Sequence, residues 1–428
     1  MQLKWLFGGF LLTLFTPFAF ASNLNELIDL SLKNENYLIR ELTHLKAISE
    51  QKSVSRAYLP ELSVQGGYVN NSLDRFLTDP KSSLFAKFSL KLLLYDGGKR
   101  EANLRAVKMG EKLANLAKEQ SKNYLALSAT TLYLNYQSMQ SLIVASEQKE
   151  LYLQSTLERL EEFYKAGLAA KDALESVRAK YHLTRLELHK NRLKLIEIEK
   201  NLQELSQKDF TPNGEARLKD PSYESGENLD TLIAKEQANI AKQKLSAARG
   251  EYLPKFFIQD NFGLYKNNYG IEFPPAFAAM GANFFDDYFK EKARNNQFII
   301  GFEWKIFDFF STSAKVETQR LEYQIQALNA NYIERKNKLE LVFLQKELKV
   351  LGEQIKALEL ANEAASLAFE SVDKKYSAGL NSYNDYLEAL ENKFKAQSDL
   401  QLAKNEFEIA KARYYFVAGL DIKERISQ

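Results

Sequence analysis

The sequence predicts an internally duplicated α+β membrane fold, in which four strands per chain lead into helices too long for a compact domain. Three observations carry that expectation. Residues 297–306 alternate, with Phe298, Ile300, Phe302, Trp304 and Ile306 on one face and Gln297, Gly301, Glu303 and Lys305 on the other. Such a strip is greasy outside and polar inside, at about the ten-residue length that a tilted strand needs to cross a bilayer. Directly after it, residues 311–351 contain neither glycine nor proline, and Gly352 is the one interruption before Gly379. A helix of roughly 65 residues extends on the order of 100 Å. Third, the same order of elements occurs twice along the chain.

The N-terminus reads as a secretory signal over residues 1–21. Lys4 precedes the apolar run 5–20, and Ala19-Phe20-Ala21 is a small-x-small cleavage site before Ser22. No later segment approaches the twenty apolar residues of a membrane-spanning helix. The 428 residues contain no cysteine, so disulfides and a lipid-bearing cysteine are both excluded. Membrane residence therefore has to come from strands. A net charge of +2, with lysine and glutamate interspersed, gives no reason to expect nucleic acid.

Taken in order, residues 25–58 form a helical run with Leu27, Leu30, Leu38, Leu42 and Leu45, ended by Tyr58-Leu59-Pro60. The first strand pair is expected at 61–70 and 84–94, with a polar loop between. Its apolar face carries Leu62, Val64 and Tyr68, then Ala86, Phe88, Leu90, Leu92 and Leu94, while Lys87, Ser89 and Lys91 face the other way. At Tyr95-Asp96-Gly97-Gly98 the period changes from two to helical. A long helix follows over 98–166, with a seam at Leu132, Tyr136, Met139, Ile143, Leu153, Leu157, Leu160 and Tyr164. Gly167 breaks it, and a shorter helix covers 169–207. Residues 208–228 hold two prolines, two glycines and mixed charges, and read as a linker or small excursion.

The second repeat occupies 229–418. Tyr252-Leu253-Pro254 echoes the first break, strands are expected at 255–265 and 297–307, and helices at 311–377 and 380–418, before a tail at 419–428. Asp260 interrupts the third strand's apolar face and is read as a bulge. The second seam, Leu344, Leu348, Leu351, Ile355, Leu358, Ala365, Phe369, Val372 and Tyr376, corresponds to the first. The turns correspond too: Tyr164-Lys165-Ala166-Gly167-Leu168 and Tyr376-Ser377-Ala378-Gly379-Leu380. Two generic coiled coils share a seam by chance, but not the breaks, strand pairs and turns in one order.

Four membrane strands cannot close, and an open edge is not tolerated in lipid. The barrel has to be shared between chains. Two chains supply about eight strands and a filled interior, three about twelve and an open lumen. The polar inward set, Lys87, Lys91, Gln259, Glu303 and Lys305, favours water inside and hence three.

On the Tyr-Leu-Pro breaks, the run Leu92-Leu93-Leu94-Tyr95-Asp96-Gly97-Gly98-Lys99-Arg100 and the two Tyr-x-Ala-Gly-Leu turns, the chain resembles the TolC family of outer-membrane efflux proteins over its mature length. The resemblance implies a homotrimer with a twelve-stranded β-barrel continued by a periplasmic α-helical coiled-coil barrel. It implies a periplasmic adaptor protein and an inner-membrane transporter (RND, ABC or MFS type) as partners, outer-membrane lipid as surroundings, and a passive role in drug efflux or type I secretion. The competing reading is a periplasmic coiled-coil scaffold or adhesin without a channel. No cofactor, metal site or catalytic constellation is expected. His182 and His189 lie seven apart without a cysteine nearby, and Gly97-Gly98-Lys99 lacks P-loop spacing.

The resemblance also assigns roles. Ala166, Gly167 and Leu168, with Ala378, Gly379 and Leu380, become adaptor-docking tips, against the plainer reading of helix C-caps. Asp385 and Glu388 become an acidic constriction on the channel axis, against the plainer reading of solvated acids. Asp172 and Glu175 are their counterparts in the first hairpin, which is one residue shorter after its glycine. Tyr376 is expected to hydrogen-bond an acid such as Asp172 across the neighbouring hairpin. Asn381 stands where an arginine of that latch would be expected.

Overall fold

The computed structural model describes residues 23–71, 79–223, 226–270 and 289–427. The expected leader at 1–21 and the middles of both strand-to-strand loops lie outside them. The order is α1 (Leu24–Ser31), α2 (Glu35–Arg56), β1 (Glu61–Asn70), β2 (Ser82–Tyr95), α3 (Lys99–Lys165), α4 (Lys171–Ser206), β3 (Arg217–Leu218), α5 (Leu229–Arg249), β4 (Lys255–Asn268), β5 (Lys292–Glu303), α6 (Ser311–Ser377), α7 (Tyr383–Val417) and β6 (Ile426–Ser427). The duplication extends to element length, since α3 and α6 each contain 67 residues. No helix among the described residues is long and apolar enough to cross a membrane.

The chain divides into two compact units, each drawing on both repeats. One comprises residues 39–119 and 229–336 and contains an antiparallel sheet ordered β1-β2-β4-β5. Its register places Leu62, Leu90, Asp260 and Phe298 in one row and Ser63, Ser89, Asn261 and Gln297 in the next. Because side chains alternate, one face is apolar and exposed, with Val64, Leu90, Phe262, Phe298 and Ile300 among its members. The other is polar and tied together. Ser89 Oγ donates to Asn261 Oδ1 (2.7 Å), which also accepts from Gln259 Nε2 (2.8 Å). On this face the Lys87 ammonium lies 5.1 Å from the Phe85 ring centre and that of Lys91 5.6 Å from Phe257.

Several boundaries differ from expectation. Residues 25–58 are two helices, because Asn34 breaks them: its Nδ2 donates to Glu204 O (3.0 Å) and its Oδ1 accepts from Asn36 N (3.0 Å). Within the chain α2 buries none of its residues, so Leu38, Leu42 and Leu45 stay exposed. The fourth strand spans Lys292–Glu303, not 297–307, since its last partner is Lys255 and Pro254 has no N–H to extend the ladder. Lys305 therefore leaves the inward-facing set. Trp304 follows the end of the ladder, and its indole Nε1 donates to Tyr252 O (3.1 Å). Asp260 forms no bulge and keeps its register on the apolar face, while the irregularity falls between Leu93 and Tyr95. The 208–228 excursion contributes β3, which pairs with β6 of the tail.

The second unit comprises residues 23–38, 120–228 and 337–427 of the described chain. One of its cores gathers Leu27, Ile28, Tyr133, Leu202, Leu344, Tyr414, Tyr415 and Ile422 around α1, α3, α4, α6 and α7. A second gathers Leu153, Leu160, Leu174, Val177, Phe369, Tyr386, Leu390 and Phe394 from the two long-helix hairpins. The seam residues Leu344, Leu348, Leu351, Tyr136 and Leu153 are buried, with every third or fourth position facing inward. Burial of each such leucine removes apolar surface worth about 1.5–3 kcal/mol from water.

Turn glycines test this account. Gly97 has φ +77°, and a Cβ there would collide with the Gly250 carbonyl and lie 3.0 Å from Leu253 Cβ. Gly167 and Gly379 have φ +74° and +76°, but no described atom lies within 4 Å of such a Cβ. Gly167→Ala and Gly379→Ala should therefore cost only the left-handed strain, about 1–2 kcal/mol each. Gly97→Ala should destabilise clearly more, read as the larger drop in thermal unfolding temperature in detergent; equal drops would refute the collision.

Candidate functional site

The two hairpin tips are built alike. In the first, Leu168 N donates to Phe163 O (2.8 Å) and Gly167 N to Tyr164 O (3.0 Å); in the second, Leu380 N donates to Lys375 O (2.8 Å) and Gly379 N to Tyr376 O (3.0 Å). Both are Schellman caps, in which a left-handed glycine satisfies the last carbonyls of the helix. The caps leave Leu168 and Leu380 pointing into solvent, 77% and 76% exposed. An exposed leucine beside a rigid glycine turn presents a fixed apolar knob, and the chain offers two of them.

Beyond the tips the hairpins diverge. Helix α7 opens with a capping box: Ser382 Oγ accepts from Asp385 N (3.2 Å), and Asp385 Oδ2 accepts from Ser382 N (3.1 Å) and Ser382 Oγ (2.8 Å). Helix α4 starts at Lys171, and its N-cap residue, Ala170, has no side chain that can cap it. Burial runs one residue out of step with the glycines: Ala173, Leu174 and Val177 point inward on α4, as Tyr386, Leu387 and Leu390 do on α7. This puts Asp172 and Glu175 in the same exposed register as Asp385 and Glu388. All four carboxylates lie on the outward faces of their helices near the tips.

Tyr376 is held by aromatic packing. Its ring stacks on Tyr386 with centroids 4.8 Å apart and planes at 24°, and the Arg159 guanidinium lies 5.6 Å from its centre. A guanidinium thus lies against Tyr376 from α3, while position 381 carries Asn381. The stack continues through Phe369 to Tyr152, and Lys393 sits 4.7 Å from the Phe369 centroid. Burial raises the pKa of the Tyr386 hydroxyl, opposed by its hydrogen bond with Thr156, and burial likewise raises that of Tyr376. Both tyrosines stay neutral donors in the neutral pH range.

A charged staple lies farther along the hairpins. Glu391 of α7 reaches Lys180 of α4 at 2.6 Å and Lys149 of α3 at 3.9 Å. Its carboxyl is held below the usual range, first by the Lys180 hydrogen bond and, after an opposing burial effect, by the charges of Lys149 and Lys180. Arg178 of α4 joins Glu161 of α3 at 3.0 Å. The capping box was missed although the Ser-x-x-Asp spacing at 382–385 is a local signal for it, whereas Arg159 and Glu391 meet partners too distant along the chain for any local signal.

Of the remaining expected site residues, Lys87, Lys91, Gln259 and Glu303 share the polar face of the sheet. Among the described residues no group of three or more histidine, cysteine, aspartate or glutamate side chains is placed to hold a metal ion.

Residues 27–206 and 226–420 match the family described as outer membrane efflux protein. Comparison with curated protein sequences gives no significant match. Among solved structures, VceC, an outer membrane protein of Vibrio cholerae, superposes with a TM-score of 0.80 and 15% identity, over 93% of this chain and 96% of that one. The CmeC outer membrane channel of Campylobacter jejuni gives 0.80 and 16%, over 93% and 85%. The MtrE outer membrane channel of Neisseria gonorrhoeae, in its open state, gives 0.74 and 15%, over 94% and 90%. At these identities the likeness establishes the fold.

The staple makes the hairpins acid-sensitive. Because the folded-state pKa of Glu391 is depressed, its contribution is fully present above the ordinary value of 4.5 and is lost as pH falls through the depressed one. Limited proteolysis of α4 should therefore accelerate on acidification below that value, and Glu391→Gln should cleave faster at neutral pH and show less of the acid step. An unchanged pH profile in the variant would place the sensitivity elsewhere.

Proposed function

The chain belongs to the outer membrane efflux protein family, and we propose that three copies of it share one barrel as the exit duct of a tripartite efflux or type I secretion system. Like its family, it is a channel component of the Gram-negative outer membrane that reaches into the periplasm, and not an enzyme. The observation that carries the oligomeric reading is the sheet itself: four strands, an apolar exposed face, a hydrogen-bonded polar face, and β1 and β5 as open edges. In lipid those edges need partners, and only further copies offer strands of the same length and facing.

Within the trimer, Lys87, Lys91, Gln259 and Glu303 line the lumen. The apolar residues of α2 left exposed in one chain, Leu38, Leu42 and Leu45, pack against an adjacent copy. The chain supplies no energy; an inner-membrane transporter does, joined to the duct by a periplasmic adaptor. The Leu168 and Leu380 knobs dock the adaptor, and Asp172, Glu175, Asp385 and Glu388 form a ring of carboxylates at the periplasmic end, an electrostatic constriction for the passing cargo.

Two experiments test these roles. Leu168→Asp with Leu380→Asp should abolish adaptor co-purification while leaving the trimer intact; retained adaptor would leave the tips as caps alone. Asp385 is a poor probe of the gate, because its removal also breaks a cap worth about 0.5–2 kcal/mol. Glu388→Gln with Asp172→Asn keeps the capping box. In planar bilayers this pair should raise single-channel conductance or alter cation preference, and if neither moves the acids do not line the constriction.

A further inference from the structure

The two strand-to-helix turns are equivalent in the duplication but differ in chemistry. In the first, Asp96 accepts from Arg100 N through both carboxylate oxygens (3.2 and 3.1 Å), after the left-handed Gly97 and Gly98 at φ +77° and +79°. In the second, Asp308 Oδ2 accepts from Thr312 N (3.0 Å), and the two left-handed positions are Phe309 and Phe310, at φ +50° and +65°. Left-handed backbone costs a residue with a Cβ roughly 1–2 kcal/mol, a cost that glycine escapes. The second turn thus bears twice over a strain that the first avoids. Such strain persists where the surroundings compensate it.

Within one chain the Asp308 cap holds the turn, but the two strained residues themselves stay open. Phe309 is 86% and Phe310 75% exposed, and among the described residues their rings gather against Phe307 at 4.8 and 5.9 Å. The first repeat shows what belongs there. The Gly97 turn is covered by the break that precedes the neighbouring strand, so closely that a Cβ would strike the Gly250 carbonyl and approach Leu253 Cβ to 3.0 Å. Matching Tyr58-Leu59-Pro60 to Tyr252-Leu253-Pro254 makes Arg56 and Leu59 the counterparts of Gly250 and Leu253. Within the chain Arg56 and Leu59 are exposed, and they precede β1, the open edge opposite β5.

We propose that Phe309 and Phe310 form an aromatic wedge that docks on the Arg56–Leu59 break of a second copy of this chain. It closes the seam between copies at the level where the in-chain seam is closed by backbone contact. The in-chain seam admits no side chain. The seam between copies is therefore wider, and the two rings fill it, with the Arg56 guanidinium available to lie over a ring face. The inference rests on the shared barrel proposed above and adds to it which residues hold the copies together, and why phenylalanine stands where the first repeat has glycine.

The natural absence of cysteine makes the test clean. Phe309→Cys with Leu59→Cys should form a disulfide between copies on oxidation, giving covalent dimers and trimers on denaturing gels that neither single variant gives. In parallel, Phe309→Gly with Phe310→Gly relieves the strain and favours each chain's own fold, yet should lower the temperature at which trimers dissociate in SDS. Trimers that fail to cross-link and dissociate at the wild-type temperature or above would overturn the wedge and assign both rings to lipid, with the shared barrel left standing. A wild-type protein extracted only as monomer would overturn the shared barrel and the wedge with it.

Discussion

Backbone hydrogen bonding without water is the constraint on which the other features depend. A strand in the hydrocarbon region has no solvent to satisfy its N–H and C=O groups, so each edge of a membrane sheet has to meet another strand. Among the described residues this chain makes four such strands, with β1 and β5 at the edges. Once the edges are shared, exposed features of the isolated chain acquire a reason. The apolar outer face becomes a lipid-facing band, and α2, which buries nothing of its own, becomes an element that waits for a neighbour.

The same constraint explains why so much of the fold was legible in the sequence. A helical run ended by Tyr-Leu-Pro, then a strand pair of period two, then a heptad run of 67 residues with a single glycine leaves little freedom, and seeing that order twice removes most of what remains. Legibility failed where a distant partner decided the outcome. Asn34 splits an apparently continuous helix because Glu204 offers it a carbonyl. The fourth strand stops at Glu303 because its partner strand is ended by Pro254, so the alternation through Lys305 continues past the ladder. Asp260 looked like a bulge because a carboxylate on an apolar face suggests one, but its neighbours Leu90 and Phe298 keep the register intact.

The tip residues teach a related lesson about function. Asp385 and Glu388 are equally acidic in sequence, but Asp385 is committed to the N-terminus of α7, whereas Glu388 has no part in the cap. A carboxylate that caps a helix is held in place, and one with no such duty is free to respond to cargo or ions. Likewise Tyr376 is fixed by Tyr386 and Arg159, which tie α6 to α7 and α3. Any opening of the tip has to move this aromatic stack as a body or break it. The tip thus combines a rigid aromatic spine with exposed acids and leucines at its surface.

Duplicated proteins reveal their specialised positions by contrast between the repeats, because the physical demands on equivalent positions begin the same. Where the repeats agree, as in the Schellman turns at Gly167 and Gly379, the agreement marks a geometric need: reversal of a helix by a left-handed residue. Where they differ, equivalent positions face different neighbours. Ser382 caps its helix and Ala170 does not; Gly97 lies against backbone and Phe309 lies open. An edge between copies cannot be identical to an edge within a chain when one is closed by covalent continuity and the other by association alone. Association needs apolar surface that folding of the single chain leaves uncovered, and two strained phenylalanines at the open edge are such a surface.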